Sequence, residues 1–109
     1  MSIQATNTFH TKAGRAPELI ATLRQVLPDT LKHGGCEEIR LWHDQDDKDK
    51  VVSATRWATR RDYESYLEWR DGTGDTAMFR EMLTREMEVS YYDEVFTVAQ
   101  GPQASRAGS

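Results

Sequence analysis

The residues of this sequence best suited to chemistry carry neutral hydrogen-bonding groups on or beside apolar segments. Asn7 shares the apolar phase of an alternating segment with Ala5 and Phe9. A buried amide without a partner costs about 1–3 kcal/mol, so Asn7 must bind either a neighbouring loop or a ligand. We therefore treat Asn7 as a candidate ligand-binding residue, with a structural hydrogen bond as the alternative.

A cluster of aromatic residues is the second candidate, and it consists of Trp57, Tyr63, Tyr66 and Trp69. Aromatic side chains at helical spacing pack more often in a core than at a site, yet Tyr and Trp each carry a polar group that needs a partner. Arg80 lies within an apolar pattern from Met78 to Met87, where its long side chain can reach either solvent or a ligand. Both interpretations stay open for this cluster and for Arg80.

Common cofactor and metal motifs are absent from the sequence. It contains no phosphate-binding loop, dinucleotide-binding glycine motif or nucleophile elbow. The three histidines, His10, His33 and His43, lie far apart and lack zinc-like spacing, so we predict no metal site. Cys36 has no neighbouring base, and we prefer a small buried residue at a strand start to a nucleophile.

Length and charge restrict the classes of protein to consider. At 109 residues the chain has the usual size of one domain, which we expect to span residues 1–98. The net charge is -4, with Lys and Arg scattered among Asp and Glu, which argues against a nucleic-acid partner. We expect no membrane span and no export signal, and the single cysteine fits a reducing cytoplasm. The polar segment 99–109 is expected to be a mobile tail.

The elements that must position the candidate residues follow from the hydrophobic periodicity. Alternation predicts a strand over Ile3–His10, and a helix with apolar residues at helical spacing begins near Pro17. Pro28 is expected to kink or end that helix, because proline lacks a backbone donor and collides with the preceding turn. Glycines in the segment 33–35 then close it. The remaining predicted strands are Cys36–His43, Lys50–Trp57 and Glu88–Val98. The remaining predicted helices are Arg60–Arg70, capped by Thr59, and a helix that is capped by Asp75 and carries apolar residues up to Met87.

This order of elements is typical of the ferredoxin-like split β-α-β fold, an α+β architecture. In that fold the helices cover one face of a four-stranded antiparallel sheet and leave the other face to water or a second subunit. We therefore expect a homodimer.

Three local features, in this order along the chain, are similar to those of the antibiotic biosynthesis monooxygenase family. They are Gly35-Cys36 before a strand, the hairpin ending Thr55-Arg56-Trp57, and the helix from Tyr63 to Arg70. The resemblance covers residues 3–98 and implies a dimeric α+β barrel whose sheets pack face to face. It also implies a monooxygenase that oxidises an aromatic quinol, anthrone or related phenol, with molecular oxygen as co-substrate and without flavin, haem or metal.

The resemblance assigns site residues one by one. Small family members hold a phenolic substrate with an Asn, a Trp, a Tyr and an Arg, and the matching positions are Ser53, Trp57, Tyr63 and Arg80. Ser53 thus departs from the family's Asn, and Thr55 stands where many quinol-oxidising relatives carry a Glu. Their second-helix His has no counterpart. The expected catalytic residues are Trp57, Tyr63 and Arg80, and the expected substrate-binding residues are Asn7, Ser53 and Tyr66.

The implied mechanism needs only deprotonation of the phenol, because the electron-rich anion can itself reduce oxygen. Arg80 is expected to lower the pKa of the substrate phenol. Tyr63 or Trp57 is expected to donate a hydrogen bond to the developing peroxide.

Two other functions are compatible with this fold. One is a small-molecule-binding dimer without catalysis, and the other is a haem-binding or haem-degrading relative. Haem-degrading members use an Asn on the first strand, a Trp on the second helix and a His that ligates iron. Asn7 matches the first, but Tyr66 replaces the Trp and no histidine follows Trp57, so we expect haem to bind weakly.

Overall fold

The computed structural model describes residues 2–100. Its strands are β1 (Ile3–His10), β2 (Cys36–His43), β3 (Lys50–Trp57) and β4 (Glu88–Asp93), and its helices are α1 (Ala16–Thr30), α2 (Arg60–Gly72) and α3 (Asp75–Met82).

The four strands form one antiparallel sheet in the order β2-β3-β1-β4. The register of the two central strands places Asn7 directly opposite Ser53. The face that carries this pair packs under the helices, whereas the opposite face carries the exposed side chains of Trp42 and Tyr92. The ferredoxin-like α+β fold predicted from the sequence is confirmed.

Local sequence signals explain where most elements begin and end. The first three strands have the predicted bounds. α1 continues through Pro28 and ends shortly afterwards at Thr30, before the glycines that were expected to close it. α2 begins as predicted, because Thr59 Oγ1 accepts a hydrogen bond from the backbone N–H of Asp62 over 3.1 Å.

The predicted end of the last strand at Val98 is wrong, since β4 ends at Asp93. Asp93 pairs with Ile3, which is the first residue of β1. No neighbouring strand extends further to supply hydrogen bonds, so the alternating apolar residues beyond Asp93, including Val95 and Phe96, lie exposed.

The third helix is also shorter than its apolar pattern suggested. Gly74, with a left-handed φ of 88°, precedes the helix, so Asp75 is its first residue and not its cap. α3 ends at Met82, and Leu83 has extended backbone and forms a β-bridge to Thr11. The apolar residues after Met82 therefore reach the core from an extended segment.

The helix-facing side of the sheet packs into two hydrophobic clusters. The aliphatic cluster consists of Phe9, Ala16, Leu19, Leu23, Val51, Met82 and Leu83. The aromatic cluster consists of Ala5, Trp57, Tyr63 and Tyr66. Asn7 lies between the clusters, because it follows Ala5 and precedes Phe9 on the same face of β1. The core is thus divided by a polar pair, Asn7 and Ser53, at the centre of the sheet.

None of the helices within residues 2–100 is long and apolar enough to span a bilayer. The predicted tail, 99–109, lies outside the described residues from position 101 onward. The domain bound at residue 98 stays a prediction.

We expect Gly35→Ala to lower the free energy of unfolding by about 3 kcal/mol. Gly35 has a φ of 93°, and a Cβ there would collide with the side chain of Asp62 at the start of α2. Gly14→Ala is the matched control, because its φ is 76° and nothing lies within 4 Å of a Cβ, so it should lose only about 1 kcal/mol. Urea unfolding of both variants measures the difference, and equal losses would contradict the contact with Asp62.

Candidate functional site

A cavity of about 430 Å³ lies between the sheet and the helices. Its volume falls within the range of small-molecule sites. Much of its wall is apolar and includes Phe9, Leu23, Leu27, Phe79 and Leu83. The structure brings five of the predicted site residues to this cavity, namely Asn7, Ser53, Tyr63, Tyr66 and Arg80.

Asn7, Ser53 and Tyr63 form a hydrogen-bonded chain on the sheet side of the cavity. Ser53 Oγ donates to Asn7 Oδ1 over 2.9 Å, and Asn7 Nδ2 donates to the hydroxyl oxygen of Tyr63. All three side chains are buried. The structural hydrogen bond given as the alternative for Asn7 is therefore observed, but its partners lie on β3 and α2 and not in a loop. Because the Tyr63 oxygen is an acceptor in this chain, its own proton stays available to a ligand in the cavity.

The environment of Tyr63 determines what its hydroxyl can do. Burial raises the pKa of Tyr63, and the hydrogen bond from Asn7 opposes that effect only in part. The phenol therefore keeps its proton at neutral pH, so the Tyr63 hydroxyl is able to donate a hydrogen bond to a ligand but is poorly suited to act as a general base.

Trp57 lies behind the cavity wall and not in it. Its indole is fully buried, and Nε1 donates to Thr55 Oγ1 over 2.8 Å. Its ring packs against Tyr63 and Tyr66, with centroids 5.4 Å and 5.2 Å away. Of the two residues expected to donate a hydrogen bond to the peroxide, Tyr63 lines the cavity and Trp57 does not. Trp57 instead fixes the positions of the two tyrosines that do line it.

Arg80 lies at the mouth of the cavity, where it is exposed. Its Nε is 3.0 Å from Glu86 Oε1, and both residues line the opening. Exposed ion pairs of this kind contribute little to stability, typically about 0–1 kcal/mol. Arg80 can therefore exchange its carboxylate partner for an anionic group that enters the cavity.

Arg70 lines the cavity as well, although the sequence did not identify it as a site residue. It is only 6% exposed. Nε donates to the Tyr66 hydroxyl over 3.1 Å, Nη2 donates to Thr30 Oγ1 over 3.0 Å, and Nη1 donates to Asp75 Oδ2 over 2.7 Å. The available signal was its position four residues after Tyr66 on the aromatic face of α2, because a buried arginine requires partners.

The remaining nucleophile and metal candidates add little to the site. Cys36 is half-buried, and burial raises the pKa of its thiol, which disfavours the reactive thiolate. Within residues 2–100, no group of three His, Cys, Asp or Glu side chains is arranged to hold a metal ion.

A family model described as antibiotic biosynthesis monooxygenase matches residues 2–72. This span includes Asn7, Ser53, Tyr63 and Tyr66, whereas Arg80 lies beyond it. No curated protein sequence matches the chain significantly.

Solved structures share the fold at low sequence identity. A mutant of SnoaB, a cofactor-independent oxygenase from Streptomyces nogalater, matches with a TM-score of 0.76 and 14% identity, over 91% of this chain and 98% of that chain. A conserved protein from Methanosarcina mazei Go1 matches with a TM-score of 0.76 and 15% identity, over 86% and 93%. Rv0793 from Mycobacterium tuberculosis matches with a TM-score of 0.70 and 20% identity, over 91% and 100%.

The raised pKa of Tyr63 predicts a loss of stability at alkaline pH. From about pH 10 the unfolded chain releases the phenolic proton while the folded chain retains it, so the free energy of unfolding falls as the pH rises. Tyr63→Phe should remove a slope of up to about 1.4 kcal/mol per pH unit. Urea unfolding between about pH 9 and about pH 11 measures it. An unchanged slope in Tyr63→Phe would contradict the prediction.

Proposed function

The chain belongs to the antibiotic biosynthesis monooxygenase family, and on that premise we propose that it is a cofactor-independent monooxygenase of aromatic quinols, anthrones or related phenols. Molecular oxygen is the co-substrate. The observation that carries this proposal is the cavity of about 430 Å³, with apolar walls and the buried Asn7–Ser53–Tyr63 chain on its sheet side.

The shape and polarity of the cavity suit a flat aromatic molecule with oxygen substituents. Aromatic and aliphatic walls bury the ring system, while a few placed hydroxyl and amide groups fix its orientation. A water-poor cavity also protects a radical pair and strengthens each hydrogen bond to a developing charge.

In the proposed reaction the substrate supplies the electrons. The phenol loses its proton to water at the mouth of the cavity, where the exposed carboxylates of Glu68, Asp71 and Glu86 lie. The phenolate passes one electron to oxygen, and the resulting superoxide forms a C–O bond with the ring radical. Protonation gives a hydroperoxide, whose O–O bond breaks as the carbon loses its remaining hydrogen. One oxygen atom becomes a carbonyl oxygen and the other leaves as water, so the four-electron oxidation of the substrate balances the reduction of oxygen.

Each site residue has a role in this scheme. Tyr63 donates a hydrogen bond to the developing peroxide oxygen, and its raised pKa means that it does not transfer the proton itself. Asn7 and Ser53 orient Tyr63. The second Nδ2 proton of Asn7 can donate to a substrate oxygen, and Ser53 Oγ can accept from a substrate hydroxyl. Arg80 attracts the acidic substrate at the mouth of the cavity. Trp57 acts through packing, because it holds the ring of Tyr63.

Oxygen uptake by protein treated with a metal chelator tests the proposed reaction. We expect at least one quinol or anthrone from a panel to consume oxygen in a one-to-one ratio with substrate. Tyr63→Phe should lower kcat by about 100-fold, because it removes one hydrogen bond to a developing oxyanion while keeping the ring. Ligand binding without any oxygen uptake across the panel would instead favour a binding protein without catalysis.

The open face of the sheet supports the proposal that the protein is a homodimer with its sheets packed face to face. Trp42 is 50% exposed and Tyr92 is 55% exposed on this face, while Thr6 and Val52 are half-buried between them. Large exposed aromatic residues on one sheet face are typical of protein interfaces.

Sedimentation equilibrium at micromolar concentration tests the homodimer, and we expect twice the chain mass of 12.5 kDa. Trp42→Asp should shift the protein to monomer, because it replaces a large apolar side chain of the proposed interface with a charge. Leu31→Asp is the control, since Leu31 is exposed to a similar degree at the end of α1. A wild-type monomer, or a Trp42→Asp dimer, would contradict this interface.

A further inference from the structure

The hydrogen bonds around Tyr66 leave one hydroxyl proton without an acceptor. The oxygen of Tyr66 lies 2.9 Å from Thr30 Oγ1 and 3.1 Å from Arg70 Nε, and Thr30 Oγ1 also accepts from Arg70 Nη2 over 3.0 Å. Arginine has only donors, so it consumes acceptor sites on both hydroxyls and accepts from neither. The two hydroxyls share one hydrogen bond, and either orientation leaves one of their protons unused among residues 2–100.

The hydroxyl that carries this unused proton lines the cavity. Thr30, Tyr66 and Arg70 all line it, and all three side chains are buried. A buried donor without an acceptor is costly, and a ligand oxygen can reach both hydroxyls from the cavity that they line. The donor set therefore points to a ligand with an oxygen acceptor at this end of the cavity.

The charge of Arg70 makes this position favourable for an anion. Burial opposes the charge, but hydrogen bonds to Tyr66 and Asp75 outweigh that effect and raise the pKa of Arg70, so the guanidinium stays protonated. Asp75 neutralises part of the charge, since its Oδ2 lies 2.7 Å from Nη1. The remaining positive potential is directed along Nε and Nη2 towards the hydroxyl pair.

We propose that the phenolate oxygen of the substrate binds to the Tyr66–Thr30 hydroxyl pair, with Arg70 as the positioning residue that holds both hydroxyls and stabilises the negative charge. This inference rests on the proposed function and deepens it. In this proposal the buried Arg70 stabilises the phenolate. The sequence had assigned that role to Arg80, which is exposed and paired with Glu86.

The assignment also specifies the substrate class. Tyr63 supplies a second free hydroxyl proton, and the rings of Tyr63 and Tyr66 have centroids 6.1 Å apart. Two separate donors on one wall suit a substrate with two oxygen acceptors on the same fused aromatic system. A hydroxyanthrone or a quinol with a neighbouring carbonyl meets this requirement, whereas a simple monophenol engages only one donor.

Spectroscopic titration of bound 4-nitrophenol tests the proposed phenolate site. This probe changes colour on ionisation and does not reduce oxygen. We expect its pKa to fall by about one unit on binding, which corresponds to a tenfold preference for the anion. Tyr66→Phe and Arg70→Gln should each abolish the shift, while Arg70→Lys should restore part of it because the positive charge returns.

Matched variants separate this role from effects on folding. Arg61→Gln removes an exposed arginine from the same helix and should keep the full shift. If Arg70→Gln fails to fold, Thr30→Val replaces a hydroxyl with a methyl group of the same shape and should still reduce the shift. A full shift in folded Tyr66→Phe, a shift lost only in Arg80→Gln, or no preference of the wild type for the anion would overturn the proposal.

The titration tests the phenolate site, and the oxygen assay tests the monooxygenase activity, so the two claims can be overturned separately. A shifted probe in a protein that oxidises no quinol keeps the phenolate site and overturns the monooxygenase. Oxygen uptake by the wild-type protein, with no shift of the probe when it binds to the wild-type protein, overturns the phenolate site and keeps the monooxygenase.

Discussion

Polar side chains at the centre of the helix-facing side of the sheet impose the constraint on which the rest of this structure depends. Asn7 and Ser53 lie opposite each other on the two central strands, and both are buried. An unpaired buried amide or hydroxyl costs about 1–3 kcal/mol, a large fraction of the stability of a small domain. The core therefore includes Tyr63 from α2, whose hydroxyl accepts the amide proton of Asn7. A purely aliphatic layer over the sheet would leave the Nδ2 group of Asn7 without this partner.

The same polar pair explains why the core contains a cavity. On one side of it the sheet packs against aliphatic residues of α1, and on the other side it packs against the aromatic cluster of α2. The two clusters are separate, and one is aliphatic for the most part whereas the other is aromatic for the most part. The space between them is enclosed by both, since Phe9 and Leu23 come from one cluster and Tyr63 and Tyr66 from the other. Site and core are thus built from the same side chains.

A second polar group, centred on Arg70, holds the helices around that space. Its guanidinium reaches Thr30 and the carbonyl of Val26 on α1, Tyr66 on its own helix, and Asp75 at the start of α3. Breaking one partner of a buried pair is strongly destabilising, because the remaining charge is left without compensation. Arg70 consequently connects all three helices and fixes one end of the cavity. A substitution of Arg70 can therefore lower activity simply by disturbing the fold. The titration of a bound probe is needed because it reports on the charge of the ligand and not on activity alone.

By itself the sequence determined the α+β class, the order of the elements, the bounds of three strands and the membership of Asn7 in the apolar face of β1. These features depend on periodicity and on local signals such as the Thr59 cap, which act over a few residues. The family followed from short motifs in the same segments.

Only the tertiary structure decided where β4 ends, which polar groups meet and which face the cavity. β4 ends where its partner strand β1 begins. The alternation of apolar residues within β4 does not show where the partner strand begins. The Nε1 of Trp57 donates to Thr55, and Arg80 pairs with Glu86 at the mouth of the cavity, although both residues were expected to be catalytic. Arg70 meets Thr30 from a distant part of the chain. Spacing along a helix or strand specifies a face, but the partners of a buried polar group are set by the packing of whole elements, and so the tertiary structure alone shows them.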